Sequence, residues 1–123
     1  MEDINEEVKN LRIRLEEATR YLRISELVKQ REGLEKEMAD PGLWDDQNRG
    51  KEVQRKLSET IEDLEFHEFL KAGIEDLETL LELVDEEGGE SLQGEIESGL
   101  EKISGKFDEL EIRSLFSGKY DES

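Results

Sequence analysis

Apolar residues stand at Ile4, Val8, Leu11, Leu15, Ala18 and Leu22, a 4-3-4-3-4 spacing that predicts one narrow helical stripe. Asp3, with Glu6 three residues on, is expected to cap its start. Continued in phase, the next seam positions would be Ser25, Lys29, Glu32 and Lys36, all polar, so the stripe ends at Leu22. A second stripe, Ile24, Leu27, Leu34 and Met38, begins at once and points roughly the opposite way at about 100° per residue. This predicts a break near 23–25, with Ser25-Glu26 as cap and first turn. The alternative is one continuous helix whose halves face different neighbours, because no Gly or Pro enforces the break. Leu15 and Leu34 face different neighbours on either reading.

Asp40-Pro41-Gly42 is the clearest stop, since proline disfavours helix in the residue before it and glycine allows a sharp reversal. Asp45, Asp46 and Asn48 then supply a capped, acidic first turn for a helix carrying Val53, Leu57, Ile61, Leu64, Leu70, Ile74, Leu77, Leu81 and Val84. This helix ends before Gly88-Gly89, and at about 1.5 Å per residue it is roughly 60 Å long, a spine. Ser91 caps the last helix, where Leu92, Ile96, Leu100, Ile103, Phe107 and Leu110 repeat at 4-4-3-4-3. Helices are thus expected at about 3–22, 25–39, 46–86 and 91–116 of a single helical domain spanning 1–123.

Short turns make neighbours antiparallel. Residues 25–39 should lie along the first half of the spine, and residues 91–116 along the second half, where the first helix completes a three-helix bundle. Its expected core is Val8, Leu11, Leu15, Leu64, Ile74, Leu77, Leu81, Ile96, Leu100, Ile103 and Phe107, each contributing roughly 1.5–3 kcal/mol when buried. The predicted fold class is all-α, an elongated antiparallel helical hairpin and three-helix bundle with coiled-coil character.

Composition narrows the function classes. The chain has 35 acidic against 17 basic residues, a net charge of −18, and 42% of its residues are charged. Disorder is excluded by 17 Leu, 8 Ile, 4 Val and 4 Phe among 123 residues, above the roughly 20% at which it becomes the default. So acidic a surface repels phosphate backbones, which confines any RNA contact to a local patch. With no cysteine there are no disulfides, Cys-type zinc sites or thiol nucleophiles, and a cytoplasmic location is expected. No apolar run approaches a membrane span, so no membrane partner is expected.

No catalytic, cofactor-binding or metal-binding residue is assigned, and no cofactor or small-molecule substrate is expected. His67 is the only imidazole, too few donors for a metal. Asp45 to Gly50 resembles a calcium loop but fails at Arg49 and Lys56, where oxygen ligands are required. Asp85 to Glu97 holds acids and no base, and reads as a solvated loop, with docking of a basic partner the lesser alternative. Trp44 is expected to cover the open end of the hairpin. Gly94 and Gly105 lie opposite the apolar stripe of the last helix, so either that helix is loosely held or something approaches its outer face. Narrow coiled hairpins also pair with copies of themselves, which keeps self-association open.

Three stretches carry a resemblance: Pro41-Gly42-Leu43-Trp44-Asp45-Asp46 after a helix, Leu80-Leu81-Glu82-Leu83-Val84 before an acidic loop, and Leu110-Glu111-Ile112-Arg113-Ser114-Leu115-Phe116-Ser117-Gly118-Lys119-Tyr120-Asp121. In order, they resemble the N-terminal domain of the bacterial peptide chain release factor 2 family. The resemblance implies a cytoplasmic protein of translation termination, acting on the ribosome at UAA and UGA codons, with this domain directed at the stalk base of the large subunit and working with release factor 3. The family's Gly-Gly-Gln and Ser-Pro-Phe motifs do not occur: Gly88-Gly89-Glu90 has the wrong third residue, and Pro41 stands between Asp40 and Gly42. The chain is therefore expected to be no enzyme itself and to be a truncated piece lacking the decoding and Gly-Gly-Gln domains. The alternatives are a free-standing acidic coiled-coil adaptor and, weakest at this charge, an RNA-binding helical arm.

Overall fold

Helix-favouring residues and the punctuation at 22–23, 40–46 and 88 produce four helices in the computed structural model, which describes residues 2–88 and 92–117. These are α1 (Glu2–Tyr21), α2 (Ile24–Met38), α3 (Gln47–Glu87) and α4 (Gln93–Ser117), with a 3-10 turn at Leu43–Asp45. Among the described residues there is no strand, and no helix is long and apolar enough to cross a membrane. The all-α class expected from the apolar spacing is what the chain adopts. Ser91 and residues 89–90 of the expected turn lie outside the described residues.

The helix starts differ from expectation. Asp3 is already inside α1, which begins at Glu2. Between α1 and α2, Arg23 takes the left-handed conformation, φ 54° and ψ 55°, and its carbonyl accepts from the N–H groups of Glu26 and Leu27, both at 3.0 Å. No side chain caps α2, and Ser25 is its second residue. The break is made by backbone alone, a conformation that costs a non-glycine residue roughly 1–3 kcal/mol and persists because the apolar stripes on either side bury separately. For α3 the cap is Asp46, whose Oδ1 accepts from the N–H groups of Asn48 at 3.1 Å and Arg49 at 3.2 Å. Asn48 lies within the helix, and the first turn carries no acid. At the other end, Gly88 at φ 64° accommodates the left-handed reversal, its N–H donating to the Val84 carbonyl at 2.7 Å.

The chain forms two compact units, 23–68 and 1–22 with 69–123. The first is a helical hairpin of α2 and the front part of α3. Its turn is tied by Asp40, whose Oδ1 accepts the Gly42 N–H at 3.0 Å while its carbonyl accepts that of Leu43 at 3.1 Å. Leu34, Leu43 and Val53 form the core, with Met38 and Leu57 packed against it. Farther along, Gln30 Nε2 donates to Thr60 Oγ1 at 2.7 Å, and the Thr60 hydroxyl donates to the Lys56 carbonyl at 2.8 Å. Thr60 is 2% exposed and its satisfied hydroxyl explains how a polar group occupies that seam position.

The second unit is a three-helix bundle of α1, the rear part of α3 and α4. Arg12 meets Glu78 across α1 and α3, and Gly73 meets Ile103 while Leu77 meets Gly99 across α3 and α4. Both neighbours therefore run antiparallel to α3, and α1 runs parallel to α4. Val8, Leu11, Leu15, Ile74, Leu77, Ile96, Leu100, Ile103 and Phe107 are buried as expected, joined by Ala18, Leu70 and Leu110. Leu64 and Leu81 correct the expected core: both are only half-buried, and Leu64 falls in the hairpin unit. Leu15 and Leu34 do belong to different units, because the stripe changes face at Arg23.

Candidate interaction surface

The residues weighed for chemistry do not converge. His67 is half-buried on α3, and among the described residues no three His, Cys, Asp or Glu side chains gather to hold a metal ion. In the calcium-like run, Asp46 is engaged as the α3 cap and Asp45 sits in the 3-10 turn. Asp85 and Glu86 are exposed at the end of α3, and Glu95 and Glu97 on α4. What the surface offers instead is a set of exposed apolar side chains and seams between helices.

Trp44, expected to cover the end of the hairpin, is 44% exposed and packs against the start of α3. The indole lies flat on Gly50 of α3: a Cβ added there would stand 2.6 Å from Cζ3 and 2.8 Å from Cδ2. Gly50 is buried for that reason. The ring is held by one face and presents the other to water.

The bundle has three seams between its helices, and they differ. Between α3 and α4 the backbones approach at glycines, Ile103 seating on Gly73 and Leu77 on Gly99. Outside that seam Lys102 Nζ stands 5.4 Å from the centre of the half-exposed Phe69 ring. Between α1 and α4, Arg14 bridges one end, its guanidinium 4.8 Å from the centre of the Phe107 ring and reaching Glu111 at 2.6 Å and Asp108 at 3.5 Å, while beside it Leu11 and Leu100 floor a groove of about 380 Å³.

Between α1 and α3 the seam stays open as a groove of about 400 Å³, floored by Val8 and Leu81 and flanked by Ile13, Lys9, Arg12 and Glu78. Arg12 and Glu78 form a two-pronged pair across it, Nε to Oε2 at 3.0 Å and Nη2 to Oε1 at 2.6 Å. Donating these hydrogen bonds to Glu78 holds the Arg12 guanidinium above its ordinary value, with added attraction from Glu78, Glu75 and Glu16 outweighing the opposing cost of burial. Ile13, 51% exposed, is the residue sequence reasoning passed over. Its signal was present: an isoleucine out of phase with the 4-8-11-15 stripe and flanked by two arginines.

Charge is unevenly shared. The bundle unit holds 9 basic and 22 acidic residues, 9 − 22 = −13, and the hairpin unit 8 and 13, 8 − 13 = −5.

Comparison with known proteins places these features in a family. The model described as the PCRF domain matches residues 27–123. Peptide chain release factor 2 of Streptomyces avermitilis is 34% identical over 119 residues, covering 97% of this chain and 32% of that protein. The same protein of Frankia casuarinae is 37% identical over 120 residues, covering 98% of this chain and 32% of its own length. That of Mycolicibacterium vanbaalenii is 43% identical over 91 residues, 74% of this chain and 25% of the relative. The chain thus spans about a third or less of the length of the relatives it matches.

Proposed function

This chain belongs to the PCRF domain family, and from that membership we propose that it serves translation termination as the N-terminal helical domain of a peptide chain release factor 2. The observation that carries the reading is similarity at 34% and 37% identity over nearly the whole chain to release factor 2 proteins. In this reading the domain is a cytoplasmic interaction arm of a factor that acts on the ribosome at UAA and UGA codons, with the stalk base of the large subunit and release factor 3 as its partners. In this reading it brings no hydrolytic group: Gly88-Gly89-Glu90 is a near miss with the wrong third residue, in a different domain from the one that carries the family's Gly-Gly-Gln.

Charge limits how such an arm makes contact. At −18 the chain is repelled by ribosomal RNA at long range, so affinity has to come from a small apolar or locally basic patch. Added salt then leaves binding unchanged or strengthens it, as repulsion beyond a Debye length of about 8–10 Å is screened. Pelleting of the chain with ribosomes across a salt series tests this, together with competition by full-length release factor 2. Retained binding that full-length factor displaces is the expected result. Steep loss with salt would place the contact on phosphates, and stop-codon-dependent peptide release by this chain alone would overturn the assignment.

A further inference from the structure

Two seams of the bundle unit hold open grooves with apolar floors, about 380 Å³ over Leu11 and Leu100 between α1 and α4 and about 400 Å³ over Val8 and Leu81 between α1 and α3, while the α3–α4 seam is closed at Gly73 and Gly99. The α1–α3 groove differs in having a large apolar side chain exposed at its rim: half-exposed Ile13 stands there with its side chain in water.

The rims decide what fits. Glu75, Glu78, Glu82 and Asp85 follow one another at 3-4-3 spacing, one ridge of α3, and Glu75, Glu82 and Asp85 are exposed. On the α1 rim Arg12 is engaged by Glu78, and Lys9 lies 3.9 Å from Glu6. The groove's own lining carries Lys9, Arg12 and Glu78, and the negative charge an occupant meets lies on the adjoining α3 ridge, on a unit that totals −13. A second copy of the chain would bring another −13 to the contact. A slot between two packed helices accepts a third helix, ridge into groove, and the exposed backbone of a sheet edge, which would favour an extended peptide, does not occur among the described residues.

We infer that the α1–α3 groove of the bundle unit is a docking site for a basic amphipathic helix of another protein, its apolar stripe on Ile13 and Leu81 and its cationic flank along Glu75, Glu82 and Asp85. This inference is independent of the release-factor reading, because it rests on the groove and its charges alone.

The test uses the full chain and two synthetic 18-residue helical peptides that share one leucine stripe, one with lysine flanks and one with glutamate flanks. Affinity is read by fluorescence anisotropy and the site by amide and methyl shift changes. The lysine peptide is expected to bind, with shifts centred on Ile13 and Leu81, and the glutamate peptide to bind at least about tenfold more weakly. Ile13→Gln leaves the charge untouched and should weaken binding about fivefold or more, while Ile112→Gln, an isoleucine 55% exposed on α4, should not change it. A Glu75→Gln/Glu82→Gln variant should lose about threefold at low salt and less at high salt. Equal binding by wild type and Ile13→Gln would reduce the association to diffuse charge and overturn the proposal, as would shifts centred elsewhere. Ile13-dependent sedimentation as a dimer without peptide would make the occupant a second copy and overturn it equally.

Discussion

Leu77 of α3 rests directly on Gly99 of α4: a Cβ at Gly99 would stand 2.8 Å from Leu77 Cδ2. About one turn away the arrangement is reciprocal, with Ile103 of α4 on Gly73 of α3. All four positions fall on the contact between the two helices, so these glycines are there for close approach. Gly94 and Gly105, on the same helix, have nothing within 4 Å of an added Cβ. The two sets should respond oppositely to alanine. Gly99→Ala and Gly73→Ala should each lose about 1–2 kcal/mol, overpacking exceeding the gain in helix propensity. Gly105→Ala should gain up to about 1 kcal/mol. Urea titrations of the three variants give the comparison, and a gain in all three would show that the seam is looser than described.

Leu77 is 2% exposed at that seam, whereas Met38 is only partly buried beside the small Leu34, Leu43 and Val53 cluster. Leu77→Ala is expected to cost roughly 2–4 kcal/mol by leaving a cavity, and Met38→Ala less, because a half-buried side chain leaves a hollow that water reaches. Equal losses in urea would place the main core wrongly.

Trp44 reports on its own seat. Gly50→Ala puts a methyl where the ring lies, and the ring is free to swing toward water on its exposed side. The emission maximum should move to the red with little change in the urea midpoint. An unchanged spectrum would mean that the indole does not rest on Gly50.

The hydrogen bonds from Arg55 to Glu52, Nη2 to Oε1 at 2.6 Å and Nε to Oε2 at 3.3 Å, lower the Glu52 carboxyl below its ordinary value. A lowered folded value means that the pair stabilises the helix above the unfolded value, about 4.3, and that this is lost as pH falls through the lowered one. Carboxyl-detected NMR titration should find the Glu52 midpoint below that of a model peptide, and Arg55→Gln should bring it back up. A midpoint that ignores the arginine would remove the pair from the acid response.

Much of this was written in one dimension. The 4-3-4-3-4 run of α1 and the repeat through Ile96, Ile103 and Phe107 specify buried faces by themselves, because a helix repeats every 3.6 residues wherever it stands. The same arithmetic located the phase change after Leu22 and, with Pro41, the hairpin turn. It passed over Thr60, a polar seam residue whose hydroxyl is met by Gln30 from the facing helix, and it placed Leu64 in the bundle when it belongs to the hairpin unit.

Amino-acid order, then, determined that the chain is helical and acidic, and which stripes are apolar, since these depend on residue type and local spacing. Tertiary structure alone decided which glycines are seats and which are idle, that Arg23 turns the chain without a side-chain cap, and that Ile13 stands beside an open groove. Each of those depends on what another helix brings within 4 Å, and spacing within one helix carries no record of its neighbour.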